Sequence, residues 1–293
     1  MENKKETINK IRITGTLVEN KLEERVAKSG ANAGKSFITG DIIIKAMLDN
    51  EENLIPIHLY AFEQTKEGKA NQLFASYRDL GNKVGRRFTI SGAFGENRFW
   101  SEKSGEIASQ QVINGRFIND ASVSTPDEAI FELSGFVARE LTEKVNKENE
   151  IYIYEMVLGQ SNYNDSSAYL LKLHVRPGDA SVANAVRAQY TAGMTVHLYG
   201  DVRYTTQTIT REVTDVAFGA PRANSFVVTN KAYFITTGEN PIEGESAYAL
   251  DDISRYKKAI SAADIEIAKK AKASAKPGTT AAQAAPKKAT SLL

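Results

Sequence analysis

The segment 96–105, ENRFWSEKSG, combines the residue types that an unpaired nucleic-acid strand needs. It contains Trp100, the only tryptophan of the chain, beside Phe99, with Arg98 and Lys103 as nearby cations. Aromatic faces stack on bases, which is worth roughly 1–3 kcal/mol per base, and cations follow the phosphates. Because hairpin tips are ordinarily polar, this tip favours base stacking, with a contact between two copies of the chain as the alternative.

A second aromatic surface is predicted on two neighbouring strands, residues 37–45 and 54–62. Alternation turns their aliphatic side chains inward and places Phe37 and Tyr60 together on the outer face. Packing against a loop is the alternative for both, and it is the favoured interpretation for Phe62. Further cationic candidates are chosen from strand-face parity and charge alone: Arg12, Lys35, Lys45, Arg87 and Arg116.

The sequence contains no recognisable catalytic constellation. His58, His174 and His197 fall in predicted strands without the spacing of metal ligands. The GKS run at 34–36 lacks the first glycine of a P-loop, since position 29 is Ser29, and it leads into a strand instead of a helix. The absence of cysteine excludes thiol nucleophiles and disulfides. We therefore predict a protein that is not an enzyme and has no metal or cofactor.

An internal repeat supplies the elements that position these residues. The strand centred on Gly15 is echoed by a strand centred on Gly135, and Gly92 matches Gly200 in the fourth strand of each copy, where we expect a bulge. The order β-β-β-α-β-β occurs twice, which is the order of the OB-fold, a barrel that binds oligonucleotides or oligosaccharides. We predict a mainly β chain of two tandem OB-folds, each a five-stranded Greek-key barrel. The predicted strands and helices are, in the first copy, 11–19, 37–45, 54–62, helix 69–80, 87–94 and 110–118, and in the second, 131–139, 151–158, 169–175, helix 180–190, 194–202 and 213–218.

Composition divides the chain further. The net charge of +1 hides three unlike parts: residues 1–120 have 18 basic against 16 acidic residues (+2), residues 121–254 have 10 against 18 (−8), and residues 255–293 have 9 against 2 (+7). The predicted divisions are OB-folds at 8–120 and 128–240, a linker at 122–127, extra edge strands in 226–237, a helical segment at 246–272 and a disordered Ala/Lys-rich tail at 273–293.

Nothing in the sequence indicates a membrane protein. The 293 residues are 42% hydrophobic and 25% charged, as in ordinary globular chains. The N-terminal run MENKKETINK has no apolar core, and no stretch approaches the ~20 apolar residues of a membrane span. We expect a cytoplasmic protein of a bacterial cell, without a membrane partner.

The run ENRFWSEKSG follows VGRRFTISGAF and precedes SQQVINGRFI. It resembles the strand V-x-V-x-G-x-L and hairpin R-x-W-x-x-x-x-G of bacterial and phage single-stranded-DNA-binding proteins. ITGTLVENKLE and IPIHLYAFEQ resemble the first and third strands of that family. The resemblance covers 8–120 well, whereas in the second copy only the strand pattern and GFVARELTEK remain. By motif position, it implies Trp100 and Tyr60 as base-stacking residues and Arg98 and Lys103 as phosphate contacts.

The resemblance implies protection of single-stranded DNA, without strong sequence preference, in replication, recombination and repair. Replication and recombination proteins would be further partners, and a phage is the favoured source. Family members assemble four OB-folds, so a homodimer of this chain would supply the same number. Their acidic C-terminal tip is replaced here by PKKATSLL, so the basic tail is expected either to contact phosphates or to solubilise the chain.

The second copy is assigned a secondary or protein-contacting role. Four of its residues could contribute to binding, but a charge of −8 repels phosphates overall. The alternative function for the whole chain is therefore an OB-fold protein-interaction module, virion-associated or regulatory. The four residues are Tyr152, Tyr154, Tyr169 and Arg203.

Overall fold

The computed structural model describes residues 7–162, 165–213 and 222–274. The prediction of a mainly β chain with a C-terminal helical segment is confirmed, while residues 275–293 of the predicted tail lie outside the described residues. The strands are β1 Asn9–Asn20, β2 Glu23–Val26, β3 Ser36–Leu48, β4 Glu51–Phe62, β5 Arg87–Ser101, β6 Glu106–Asp120, β7 Glu128–Val145, β8 Ile151–Ser161, β9 Ala168–Val175, β10 Thr195–Val213 and β11 Arg222–Gly238. The α-helices are α1 Gln72–Asp79, α2 Ala180–Gln189 and α3 Leu250–Ser274.

Hydrogen bonds connect the described strands into one large mixed sheet, in the order β10-β11-β9-β8-β7-β1-β5-β6-β4-β3-β2. Two closed circuits of five strands lie within it. The N-terminal circuit runs β1-β5-β6-β4-β3 and back to β1, and the C-terminal circuit runs β7-β8-β9-β11-β10 and back to β7. Each circuit has one parallel pair, β4 with β6 and β9 with β11. The expected separation into two independent barrels is not seen, because β1 also pairs with β7.

The two copies of the sequence repeat share backbone irregularities at equivalent glycines. Gly92 and Gly200 both follow a shift of strand register, so the predicted bulges are confirmed. A Cβ at either glycine would overlap a backbone carbonyl of the next strand, that of Asn114 in one circuit and that of Phe234 in the other. Asn114 and Phe234 are therefore counterparts.

Strands β1 and β7 join the circuits through equivalent residues. They run antiparallel, and Ile11 lies opposite Phe131, its own counterpart in the repeat. Antiparallel pairing of equivalent positions relates the two circuits by an approximate two-fold axis. The core is continuous across this junction, since the Phe94 ring lies 5.7 Å from Phe131 and 4.8 Å from Tyr233.

The fifth strand predicted for the second copy, 213–218, falls almost wholly outside the described part of the chain. Val213 ends β10, and residues 214–218 lie outside the described residues. The antiparallel partner of β10 is β11, which covers the run 226–237 that the sequence placed at an edge. Pairing between β10 and β11 continues well beyond the bulge. Because the hairpin is this long, its second strand begins later in the chain than the sequence predicted.

Each circuit sends out a long hairpin that lies across the other circuit. These are the β5–β6 arm (95–112) and the β10–β11 arm (203–213 and 222–232). From β9, the backbone N–H of Leu170 donates to Glu96 Oε2 at 3.0 Å, and that of Lys172 donates to Gln111 Oε1 at 2.9 Å. In the other direction, the Tyr204 N–H donates to Asn53 Oδ1 at 2.8 Å. The arms thus occupy hydrogen-bonding groups that open strand edges would otherwise expose.

Helix α1 begins one turn later than predicted because the side chain of Asn71 caps it, accepting from the Leu73 N–H at 3.1 Å. Its buried Phe74 and Tyr77 close one end of the N-terminal circuit. Helix α2 does the same for the C-terminal circuit with Ala183 and Val186.

Helix α3 covers the outer face of the C-terminal circuit. Its apolar stripe of Ile253, Tyr256 and Ile260 packs with Phe136 of β7 and Ala168 of β9. These helical residues recur at intervals of three and four, as expected of one buried helix face. Among the described helices, none combines the length and apolar character needed to cross a membrane.

Candidate nucleic-acid interface

Three aromatic rings form a cluster on the outer face of β3 and β4. Phe37 lies 5.5 Å from Tyr60 and 5.8 Å from Phe62, and Tyr60 lies 5.3 Å from Phe62, between ring centroids. The alternate residues of both strands point inward, so the pleat keeps these rings outside the core. Tyr60 is 48% exposed. This aromatic cluster offers ring surface for stacking at a position held by two paired strands.

Lysines lie in the loops next to the end of the β3–β4 pair that carries the aromatic cluster. The exposed Lys35, just before β3, donates to Asn32 Oδ1 at 3.2 Å and forms no ion pair with any described carboxylate. Exposed lysines also occur in the loop before β3 and in the loop after β4, at Lys28, Lys66 and Lys69. Sequence reasoning missed these three because loop residues have no strand parity to select them. Phe62, for which the sequence favoured packing against a loop, has its ring beside those of Phe37 and Tyr60.

Polar pairs continue along the same outer face. His58 of β4 lies 2.9 Å from Asp41 of β3, between Nδ1 and Oδ1. At the far end of β3, Lys45 lies 3.6 Å from Glu52. Lys35, just before β3, is therefore a cation near the aromatic cluster that has no ion pair among the described residues. Lys45, ten residues further along, is an ion-paired cation at the opposite end of the strand.

The segment 96–105 forms a paired arm instead of a loop. Strands β5 and β6 remain hydrogen-bonded out to the pair of Ser101 and Glu106, and only residues 102–105 form the turn. Lys103 is exposed in this turn, and Phe99 is exposed on the arm. Trp100 is half-buried, so the structure exposes less of its ring than the sequence predicted.

Arg98 binds helix α3. Its guanidinium donates to both carboxylate oxygens of Asp264, at 2.9 and 2.6 Å, and to Glu96 at 2.6 Å. The hydrogen bond to Asp264 raises the pKa of Arg98, partly opposed by burial. Strand alternation puts Trp100 on the same side of the arm as Arg98, whereas Phe99 points the other way. Two carboxylates thus neutralise the predicted phosphate contact at Arg98.

A model of the YorF family matches residues 7–273. The chain belongs to the YorF family. No curated protein matches it. Solved structures similar to this YorF protein include the wild-type single-stranded DNA binding protein from Thermus aquaticus, with a TM-score of 0.49 and 14% identity over 83% of this chain and 97% of that chain. A deletion mutant of the same Thermus aquaticus protein has a TM-score of 0.48 and 12% identity over 81% and 96% of the two chains.

Three other predicted cations lie elsewhere on the YorF protein. Arg12 forms an ion pair with Glu128 at 2.6 Å across the β1–β7 junction. Arg87 binds Asp127 at 2.6 Å and donates to two carbonyls of the segment between β6 and β7. Arg116 is exposed beside Phe117 in a groove at the β1–β7 junction. The predicted site residues therefore fall on the β3–β4 face, the β5–β6 arm, the junction and the linker, and do not form one patch.

In the C-terminal circuit of the YorF protein, the strands β8 and β9 correspond to β3 and β4 but carry different side chains on their outer face. His58 and His174 are counterparts because each makes the parallel pair of its circuit. His174 is buried, and its Nδ1 accepts from the Tyr233 N–H at 3.2 Å. Burial lowers the pKa of His174 to about 4, although the nearby Glu155 acts in the opposite direction.

The counterpart strands also lack the aromatic cluster. In this YorF chain the strand registers place Ile151 where Phe37 stands and Arg176 where Tyr60 stands. The guanidinium of Arg176 stacks 4.5 Å over the Phe234 ring and lies 3.4 Å from Asp201. Within the described residues no group of His, Asp or Glu side chains is arranged to hold a metal ion.

Proposed function

We propose that this protein binds single-stranded DNA, without catalysing a reaction and with little sequence preference, through the outer face of β3 and β4. The aromatic cluster is the observation that carries the proposal. Three touching rings lie on an open sheet face, with Tyr60 half exposed and Lys35 at the end of the strand. Exposed rings give bases a stacking surface that any base can use, and lysines beside them attract phosphates.

We further propose that the two circuits are OB-folds, with boundaries at 8–120 and 128–240. Each has five strands, one parallel pair, and a helix between its third and fourth strands. OB-folds bind oligonucleotides on the face of their second and third strands, which in the N-terminal circuit are β3 and β4. The aromatic cluster lies on that face.

In this proposal the chain coats DNA strands exposed during replication, recombination and repair, in a bacterium or its phage. Phe99, Trp100 and Lys103 extend the binding surface along the β5–β6 arm. Arg116 adds a cation that pairs with no carboxylate among the described residues. The ion-paired cations contribute less, because a strand would have to displace a carboxylate from each: Arg12, Lys45, Arg87 and Arg98.

A protein-contacting role is the second candidate and concerns the C-terminal circuit. Residues 121–254 carry 10 basic against 18 acidic residues, which disfavours phosphates. Helix α3 already covers the outer face of this circuit.

Alanine variants of the aromatic cluster test the proposal. Removing one stacking ring costs roughly 1–3 kcal/mol, so Phe37→Ala and Tyr60→Ala should each weaken binding of fluorescently labelled oligo-dT by about 5- to 150-fold. Anisotropy titrations at several salt concentrations measure this loss, and thermal unfolding checks that each variant remains folded.

Tyr152→Ala provides a matched control. Tyr152 is the same residue type as Tyr60, is 57% exposed, and lies on β8, the counterpart of β3 in the other circuit. Its removal should leave affinity within about twofold of the wild type. Equal losses in Tyr152→Ala and Tyr60→Ala, or no oligo-dT binding by the wild type, would contradict the proposed interface.

A further inference from the structure

A cleft of about 460 Å³ opens between the two circuits, where β4 and β6 diverge. One wall is the continuation of the β3–β4 face, with His58 and Pro56. The opposite wall comes from the C-terminal circuit, with Tyr169 of β9, Tyr204 of β10 and Lys231 of β11. The cleft therefore exists only because the β10–β11 arm lies across the N-terminal circuit.

The cleft begins where the aromatic cluster ends. Tyr60, His58 and Pro56 are alternate residues of β4 and share its outer face, about 7 Å apart from one to the next by the rise of two strand residues. A strand stacked on Tyr60 and running along β4 reaches the cleft at the adjacent step. The order of groups along β4 thus gives the bound strand a continuous surface.

The walls of the cleft suit a nucleotide. Lys231 is exposed, pairs with no described carboxylate, and is held with Nζ 5.5 Å from the centre of the Tyr204 ring. Side-chain amides of Asn97, Gln110 and Asn114 line the cleft, and amides can both donate to and accept from a base edge. Together these groups offer a cation for a phosphate, uncharged polar groups for a base, and the partly exposed ring of Tyr169, whereas Tyr204 is buried beneath Lys231.

Two carboxylates also line the cleft, but both are already bound. Asp41 contacts His58, at 2.9 Å between Oδ1 and Nδ1. Glu96 accepts hydrogen bonds from Arg98, from Ser109 and from the backbone of β9. Neither acid therefore competes with a phosphate for Lys231.

At the equivalent place in the described part of the C-terminal circuit, the side chains are larger. Phe234, the counterpart of Asn114, pairs with His174, and Arg176 stacks on its ring. Large side chains therefore occupy the space that is open beside His58.

We propose that this cleft is a nucleotide-binding subsite that takes the next nucleotide of a strand bound at the aromatic cluster, with Lys231 contacting its phosphate. This inference rests on the proposed function, because the strand must first occupy the β3–β4 face. It assigns a direct contact with DNA to the C-terminal circuit despite its acidic charge.

Binding of oligo-dT of increasing length to Lys231→Ala tests the subsite. One phosphate contact on a single strand contributes about 0.7 to the salt slope, so the variant should lose roughly five- to tenfold in affinity near 50 mM salt and about 0.7 in slope. The loss should appear only with oligonucleotides long enough to span the aromatic cluster and the cleft. The shortest oligonucleotides that bind should show equal affinity for wild type and variant.

Lys147→Ala is the charge-matched control, since Lys147 is exposed in the turn between β7 and β8 and pairs with no described carboxylate. A loss in Lys231→Ala beyond that in Lys147→Ala, confined to the longer oligonucleotides, supports the subsite. Equal affinities of the two variants at every length overturn the subsite while leaving the proposed function intact. If the wild type binds no oligo-dT, both fall.

Discussion

The two circuits differ in what covers the outer face of the equivalent strand pair. On the N-terminal circuit, the outer face of β3 and β4 is open and carries the aromatic cluster and an ion pair between Lys45 and Glu52. At the counterpart positions β8 and β9 carry Gly159 and Ala168, and the ring of Phe136 fills the space above the glycine. Replacing a charged pair by two small residues makes room for a helix.

Helix α3 is the consequence of that difference. It packs on the C-terminal face with a fully buried Tyr256, whose ring stacks 6.0 Å from Phe136. The two copies thus differ in that one face is exposed and the other is covered by a segment of the same chain. In a strand, core residues alternate with outer ones. The core residues of two repeats can therefore stay alike while the residues on the outer face differ.

Removing the ring of Tyr256 should have the largest effect on this division. Tyr256→Ala deletes a fully buried aromatic side chain, and such changes cost about 3–5 kcal/mol, here borne by the docking of α3. Chemical denaturation and amide hydrogen exchange of α3 measure the loss. Oligo-dT affinity should not rise, because the uncovered face carries no aromatic cluster.

Tyr256→Phe is the control for the packing argument. It keeps the ring and removes only the hydroxyl that donates to Asp165, so its cost should be near 1 kcal/mol. Tighter oligo-dT binding by Tyr256→Ala would show instead that α3 masks a second DNA-binding face.

The buried histidine should make the stability of the C-terminal circuit depend on pH. The pKa of His174 is about 4 in the folded chain, against the ordinary histidine value of 6.5, so between pH 6.5 and 4 the unfolded state takes up a proton that the folded state refuses. Stability contributed by the neutral form is full above pH 6.5 and falls as pH drops to 4, by about 3 kcal/mol.

His174→Gln should remove this part of the pH dependence, since glutamine can still accept from the Tyr233 N–H and does not titrate. Urea denaturation at pH 7.5 and pH 4.5 gives the difference. His58→Gln is the matched variant on the exposed counterpart, and an equal flattening of the pH profile in both variants would argue against a specific role for the buried histidine.

The ion pair between Arg98 and Asp264 should give the smallest effect. Both side chains are partly buried and form a charge-assisted bidentate pair, and residues in such contact couple by about 1–2 kcal/mol. A double-mutant cycle with Arg98→Ala and Asp264→Asn measures this coupling energy as a loss of stability. Oligo-dT affinity should not rise in Asp264→Asn if Arg98 positions the arm.

Glu266→Gln removes an exposed charge from the same helix and corrects for the overall change in charge. A gain in affinity seen in Asp264→Asn and absent from Glu266→Gln would restore Arg98 as a phosphate contact, as the sequence motif implied.

The five strands of the first copy, the first four of the second, both short helices and the matched glycines could be predicted because they depend on local signals. Alternation identified β3 and β4, and Gly92 and Gly200 revealed the bulges. The same alternation placed Phe37 and Tyr60 on one face, where their rings lie 5.5 Å apart. These features need only the strand period and the repeat.

The remaining features depend on residues far apart in the chain. Arg98 and Asp264 are 166 positions apart, and nothing near either one predicts their pairing. The strand β11 was misplaced because the second arm is longer than the first, so a prediction that copies the first repeat stops too early. The pairing of β1 with β7 also escaped, since an edge strand does not show in its own sequence which partner it meets.

The pairing of Ile11 with Phe131 also determines how the molecule behaves on dilution. Equivalent residues meet across an approximate two-fold axis, as they would in a symmetric dimer, but here a linker of a few residues joins the two partners. Such a tether replaces a bimolecular association by an intramolecular one with a high effective concentration. The cleft between the circuits therefore remains assembled at low protein concentration. Because one chain supplies both walls, their stoichiometry is fixed at one to one.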